Sequence, residues 1–508
     1  MDTLQYLMSG FAVALQWQNI LFAFVGVLIG TMVGVLPGIG PISGVALLIP
    51  VTASLTGGLP PEEAATSAII LLAGVYYGAM YGGSTTSILL NTPGESSSVV
   101  TALDGYPMAK QGRAGAALAI AAIGSFVAGI ISLIGLVLLA KPLSEVALKL
   151  GPAEEFSLMI LGLCALSGFA GKSITKALLM TTIGLMMATV GMDTISGVAR
   201  FTFDLPELYQ GLEFLTVAVG IFALGEVFKT ILDRESNSGE IAKITRILPT
   251  KQDMRDSAGP ILRGSLLGFF KGIVPGSGAT LSSFLSYLLE KKISKHPEKF
   301  GKGAIEGVAG PEAANNAASG GAMIPLLTLG IPGTGTTAVL MGALIMYNVQ
   351  PGPLLFEDHP SIAWGLIASM FIGNLMLLLL NMPLVKVFAK IIETPPKYLI
   401  PMIVAISVFG VYAVKVSTFD LLLLIACGIF GYFMSKHDYP MAPLVLGLVL
   451  GPMIENNLRR ALTISNGDLM IFVERPVSFV FLLIAVLWVT VPLIMKMKGK
   501  KVIVNEEV

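Results

Sequence analysis

Four Pro-Gly pairs interrupt otherwise apolar runs of this chain: Pro37-Gly38, Pro93-Gly94, Pro275-Gly276 and Pro332-Gly333. Proline has no amide donor and glycine reaches backbone angles that a continuing helix does not, so each pair ends a helix and frees main-chain polar groups. Two of the breaks lead into hydroxyl-rich stretches, Glu95-Ser96-Ser97-Ser98 and Thr334-Gly335-Thr336-Thr337, and Asn91-Thr92 precedes the first. Gly40 and Ser277 complete the other two breaks. At the start of a helical segment the dipole is positive and the amides are unpaired, which suits a carboxylate. Nearby, Ser84, Thr85, Thr86, Asn315 and Asn316 offer oxygens of the kind that surround a hard cation such as sodium. An anion and a cation held close together in low dielectric attract each other by several kcal/mol.

Charged side chains in these surroundings carry separate expectations. Glu95 stands in the first turn after a break, where it either satisfies the helix terminus or couples to a cation or proton. Lys271 lies inside an apolar motif and reads as a side chain that snorkels to the interface. Glu306 and Glu312 lie near a lysine-rich loop and are expected to pair with it, while Lys172, Lys176, Lys415 and Asp420 fall at the ends of apolar segments. The three histidines, His296, His359 and His437, sit in polar loops and do not suggest a buried proton relay.

The elements that position these residues follow from composition. Of 508 residues 54% are apolar and only 13% are charged, against about 25% charged in soluble proteins. Lipid is therefore the expected solvent, and the segments must be helices because open strand edges leave backbone groups unpaired there. The fold class is all-α polytopic, with about twelve transmembrane helices at about 20 residues each, some of them re-entrant or broken. The 32 basic and 32 acidic residues cancel, which gives no electrostatic reason to expect a nucleic-acid partner. Cys164 and Cys427 lie in apolar segments and form no metal or disulfide pattern.

The chain also repeats itself. Gly30-Thr-Met-Val-Gly34-Val-Leu-Pro37-Gly38-Ile-Gly40 recurs as Gly268-Phe-Phe-Lys-Gly272-Ile-Val-Pro275-Gly276-Ser277-Gly278, and Gly82-Gly83 with Pro93-Gly94 recurs as Gly320-Gly321 with Pro332-Gly333. The expected organisation is a first transmembrane repeat over 1–232, a polar linker over 233–260, a second repeat over 261–495 and a charged tail over 496–508. Loop charges oppose each other between the halves. Glu290 to Lys302 holds five lysines, while Thr52 to Glu63 holds two glutamates and no basic residue. Opposite insertion, hence inverted repeats, follows. The polar stretch from Asp233 to Arg263, with six basic and five acidic residues, and the basic run Lys496 to Lys501 of the tail conflict with this unless the halves cross unequally. Paired interruptions at corresponding positions of two halves are the sequence pointer to a solute site at the bilayer midplane.

Enzyme signatures are missing. Gly168-Phe-Ala-Gly171-Lys172-Ser173 ends like a phosphate-binding loop, but Leu166 stands where its first glycine belongs, and neither HExxH nor GxSxG occurs. Any energy source is expected to be an ion gradient, and neither a cofactor nor catalysis is expected.

Gly34-Val-Leu-Pro-Gly-Ile-Gly-Pro41, Tyr81-Gly-Gly-Ser-Thr-Thr-Ser-Ile-Leu-Leu-Asn-Thr-Pro-Gly-Glu95, Leu103-Asp-Gly-Tyr-Pro-Met-Ala-Lys110 and Gly310-Pro-Glu-Ala-Ala-Asn-Asn316 together resemble the large membrane subunit, the TctA-type permease, of tripartite tricarboxylate transporters. The resemblance implies a multi-pass inner-membrane permease of bacteria or archaea. It would work with a small TctB-type membrane subunit and an extracytoplasmic TctC-type solute-binding protein. It would be driven by sodium or protons and carry small carboxylates such as citrate. The alternatives from the sequence are a channel, a stand-alone organic-anion exchanger and a polytopic membrane enzyme.

Overall fold

A computed structural model describes residues 3–36, 40–92, 94–169, 173–193, 196–232, 248–276, 278–392 and 396–497. The first half is built from α1 (Thr3–Ala14), α2 (Trp17–Val35), α3 (Gly40–Thr56), α4 (Pro61–Leu90), α5 (Val99–Met108), α6 (Ala114–Ala147), α7 (Pro152–Phe169), α8 (Ile174–Ala188), α9 (Phe214–Ala218) and α10 (Gly225–Leu232). A two-stranded antiparallel hairpin, β1 (Gly191–Met192) with β2 (Ala199–Arg200), joins α8 to α9. The second half comprises α11 (Lys251–Ile273), α12 (Gly278–Ile293), α13 (Glu306–Leu329), α14 (Gly335–Met346), α15 (Leu355–Asp358), α16 (Pro360–Ile392), α17 (Pro396–Lys415), α18 (Thr418–Lys436) and α19 (Ala442–Ile464), followed by α20 (Ile471–Glu474) and α21 (Pro476–Met497). Among the described residues seven helical stretches are long and apolar enough to cross a membrane, with four shorter apolar helices beside them. Large apolar side chains such as Phe409, Leu422 and Leu138 are exposed, while Thr86, Glu312 and Asn315 are buried. That is the reverse of a soluble protein, and it fits lipid outside and polar groups inside.

Glycine spacing sets the packing. Gly26, Gly30 and Gly34 of α2 lie on Leu71, Val75 and Ala79 of α4 so closely that an added Cβ would stand 2.2, 2.4 and 2.2 Å from their carbonyl oxygens. Gly264, Gly268 and Gly272 of α11 repeat this on Gly310, Ala314 and Ala318 of α13, at 2.3, 2.1 and 2.3 Å. Partner numbers rise together, so α2 runs parallel to α4, and α11 to α13. The connecting helices α3 and α12 therefore return, and each half holds a hairpin whose tip carries its first Pro-Gly pair.

The halves run in opposite directions. Asn316 of α13 donates to Ser125 of α6 and Gly320 packs on Ser132, which makes α6 and α13 parallel. Against α4 the order reverses: Tyr81, Ser84 and Thr85 face Leu118, Ala119 and Ala122, whereas Tyr77 meets Gly320 beside Ser132. Hence α4 is antiparallel to its counterpart α13, as inverted repeats require. The two hairpins enter from opposite faces.

The second Pro-Gly pairs are different in kind. Thr280 of α12 meets Ser96, and Tyr287 donates to Asp104 at 3.0 Å, so α5 runs with α12 toward the lysine-bearing loop that α4 also approaches. In the other half Ile42 of α3 packs on Gly335 and Thr56 bonds Tyr347, so α14 runs with α3 toward the far face. The four breaks are thus two hairpin tips and two interrupted crossings.

Two details complete the frame. The polar segment expected as a linker over 233–260 is already helical from Lys251, where Thr250 and Asp253 form a reciprocal cap. α19 ends beside the β-hairpin, through Arg459 to Asp193 and Arg200 to Glu455, on the face away from the lysine loop. α21 then returns, starting where Arg475 pairs with Glu154.

Candidate functional site

The interrupted crossings end and restart by matching local rules. α4 stops at Asn91, in the left-handed region with φ 56°, and α13 stops at its equivalent Gly330, with φ 67°. The Thr92 amide returns to Thr86 O and the Ile331 amide to Pro325 O, which closes both helix ends in the same way. After the second break Thr334 caps α14: its Oγ1 accepts from the Thr337 amide at 3.2 Å, and Thr337 Oγ1 accepts from the Thr334 amide at 2.9 Å. Gly335 and Thr336 hold the remaining first-turn amides at the break. Glu95 occupies the corresponding place in the first half, in a reciprocal cap with Ser98 and with Ser97 Oγ donating to its carboxylate. The capping role weighed for Glu95 is therefore real.

All four breaks meet. Gly94 touches Gly34, since a Cβ there would lie 2.2 Å from Gly34 O. Ser96 Oγ is 2.8 Å from Thr280 Oγ1, the Gly276 amide donates to Gly333 O at 2.9 Å, and Ile42 packs on Gly335. Each contact joins one break to the next, so the ring closes through both halves. Pro37, Gly38, Pro93 and Ser277 lie outside the described residues; Gly40, Gly94, Ser96, Pro275, Gly276, Pro332, Gly333, Thr334, Gly335, Thr336 and Thr337 flank the ring. Asn91 and Thr92 do not join it. They form a turn at the far end of α4, about 12 Å along the helix from Gly83.

The expected cation oxygens separate into groups. Ser84 and Thr85 border a void of about 20 Å³ with Leu118 and Asn381, and Thr86 Oγ1 donates to Gly83 O beside Gly94. Asn315 and Asn316 face α5 and α6 with Glu312. Glu312 does not pair with the lysine loop: it is fully buried and accepts from Thr101 Oγ1 and Asn315 Nδ2. One turn of α13 past the loop already points inward. The loop's carboxylates find nearer partners, Glu290 in a two-point pair with Arg263 and Glu298 with His296. Tyr76 was not foreseen either. Its buried ring stands edge-on to that of Tyr77, with 5.8 Å between centroids, and the Tyr-Tyr pair at 76–77 was the signal available for it. Among the described residues no group of three His, Cys, Asp or Glu side chains gathers as a metal site.

A cavity of about 1060 Å³ opens on the face away from the lysine loop, between the ends of α6, α14 and α19. Asn348, His359, Asn457 and Arg460 line it, and it reaches Leu329 at the foot of the second break.

An apolar exterior, two opposed hairpins and two broken crossings whose breaks meet define a multi-pass membrane protein. Residues 20–446 match the Tripartite tricarboxylate transporter TctA family, and the chain belongs to it as a component of such a transporter. It is 46% identical over 509 residues, the whole of both chains, to a protein of Agrobacterium vitis described as "Uncharacterized 52.8 kDa protein in TAR-I ttuC' 3'region". It is 45% identical over 238 residues to a second Agrobacterium vitis protein, "Uncharacterized protein in TAR-II ttuC' 3'region", a match covering 47% of this chain and 97% of that one. No solved structure matches the chain.

Proposed function

We propose that the chain is the permease of a secondary active uptake system for small carboxylates, coupled to a cation and assisted by a small membrane subunit and a solute-binding protein. The observation that carries this reading is the ring of four breaks, with the first-turn amides of Gly335 and Thr336 at its edge. Amides at a helix start favour an anion, and interrupted backbone at membrane depth is tolerated where it lines such a site. Lysine enrichment orients the loop over 290–302 toward the cytoplasm of the inner membrane. The large cavity then faces the side from which a binding protein delivers its solute, and it ends beside Gly330.

Uptake of a labelled carboxylate by the reconstituted chain, partner subunit and binding protein tests the reading, with an imposed sodium gradient and with a pH gradient. Accumulation under either gradient is the expected result. Downhill flux alone, with single-channel conductance, overturns it in favour of a channel.

A further inference from the structure

We propose that Glu312, Asn315 and Asn316 of α13, with Thr101 of α5, form a sodium site beside the ring of breaks. The inference deepens the permease reading and rests on it for its role in transport. Glu312, Asn315, Asn316 and Thr101 are all fully buried. Both carboxylate oxygens of Glu312 face neutral donors: Thr101 Oγ1 donates to Oε1, and Asn315 Nδ2 to Oε2 at 3.3 Å. Among the described residues no lysine, arginine or histidine pairs with Glu312. An ionised carboxylate taken from water is costly, so a group built this way is neutralised by a proton or completed by a cation.

A second observation points to the same place. Asn316 Nδ2 donates to Ser125 Oγ at 2.7 Å and to Glu312 O at 3.1 Å and also meets Asn315 Oδ1, whereas its own Oδ1 is buried with no donor. A buried acceptor left open is costly unless something fills it. Two Glu312 oxygens, Thr101 Oγ1, Asn315 Oδ1 and Asn316 Oδ1 make an all-oxygen set suited to a hard cation. One carboxylate among neutral ligands balances a single positive charge, which selects a monovalent ion over a divalent one. Glu95, in the cap at the first break, lies within electrostatic reach of Glu312. Sodium at Glu312 therefore relieves the negative potential that an incoming carboxylate would meet at the ring, so ion and solute each favour the other's binding.

The test is thermal unfolding of the purified full chain with no carboxylate present, in sodium chloride against choline chloride at equal ionic strength and fixed pH. Wild type is expected to gain a saturable rise in melting temperature with sodium. Glu312→Gln is expected to raise the half-saturating concentration by at least about tenfold, as loss of a ligand does. Asn316→Ala should weaken it in the same direction, and Glu306→Gln should leave it unchanged. Glu312→Asp keeps the charge and should retain a weaker response, which decides the matter if the glutamine variant misfolds. No sodium response in wild type overturns the site, as does an unchanged response in Glu312→Gln or a shift produced by acid but not by sodium. Because no carboxylate is added, these failures leave the solute reading standing. A normal sodium response without carboxylate uptake would sink that reading alone.

Discussion

Ser96 and Thr280 are 184 residues apart and hydrogen-bond through their side chains at 2.8 Å. Their repeat equivalents, Gly335 and Ile42, are also in contact. Each hairpin tip is therefore docked on the interrupted crossing of the other half, and neither half completes the ring alone. Cysteines at both positions, in a chain carrying Cys164→Ser and Cys427→Ala, should form a disulfide on mild oxidation. Peptide mapping after proteolysis between the halves reads it out, and separate fragments under every oxidant would break the proposed closure.

The glycine contacts give a stability prediction. Gly268→Ala puts a Cβ 2.1 Å from Ala314 O, and backbone cannot step aside as a side chain can. The cost should be about 3 kcal/mol or more, seen as lost abundance and a lower melting temperature. Gly58→Ala, with open space around it, should stay within about 0.5 kcal/mol of wild type.

Asn91 and Thr336 separate conformation from recognition. Asn91 is left-handed, so Asn91→Ala should cost about 1–2 kcal/mol and lower uptake, while Asn91→Gly should restore stability. If glycine restores uptake as well, the residue serves the turn and not the solute. Thr336→Ala keeps a helical backbone and should lower uptake at normal abundance; wild-type rates there would remove Thr336 from the site.

On the face that carries the lysine loop Asp253 gives a pH signature. Burial raises its pKa, but the Thr250 amide and hydroxyl and the Arg113 guanidinium outweigh it and hold the group below the usual aspartate range. Its folded pKa is depressed, so its contribution is full above the ordinary aspartate value near about 3.9 and fades as pH falls through the folded value. Asp253→Asn should lower the melting temperature at pH 7 and converge with wild type toward pH 3. A constant difference across that range would contradict the assignment.

Much of this was legible because proline and glycine act locally. Pro275-Gly276 and Pro332-Gly333 mark chain interruptions whatever surrounds them, and the GxxxG spacing of Gly268 and Gly272 foretells a close backbone neighbour without naming Ala314 and Ala318. The distinction between a hairpin tip and an interrupted crossing was not legible, since it depends on where α12 and α14 travel after the break. Glu312 was misread for a related reason. Its closeness to the lysines along the chain suggested a partner, whereas helical phase turns it onto Thr101 and Asn315.

The bare backbone seam between α2 and α4, repeated between α11 and α13, has a mechanical consequence. With no side chain to flex between the strips, a hairpin tip cannot lift away from its neighbour without opening the whole seam. Any displacement that carries a solute from one side of the bilayer to the other must therefore shift hairpin and broken helix as one stiff body, with the sliding surface elsewhere.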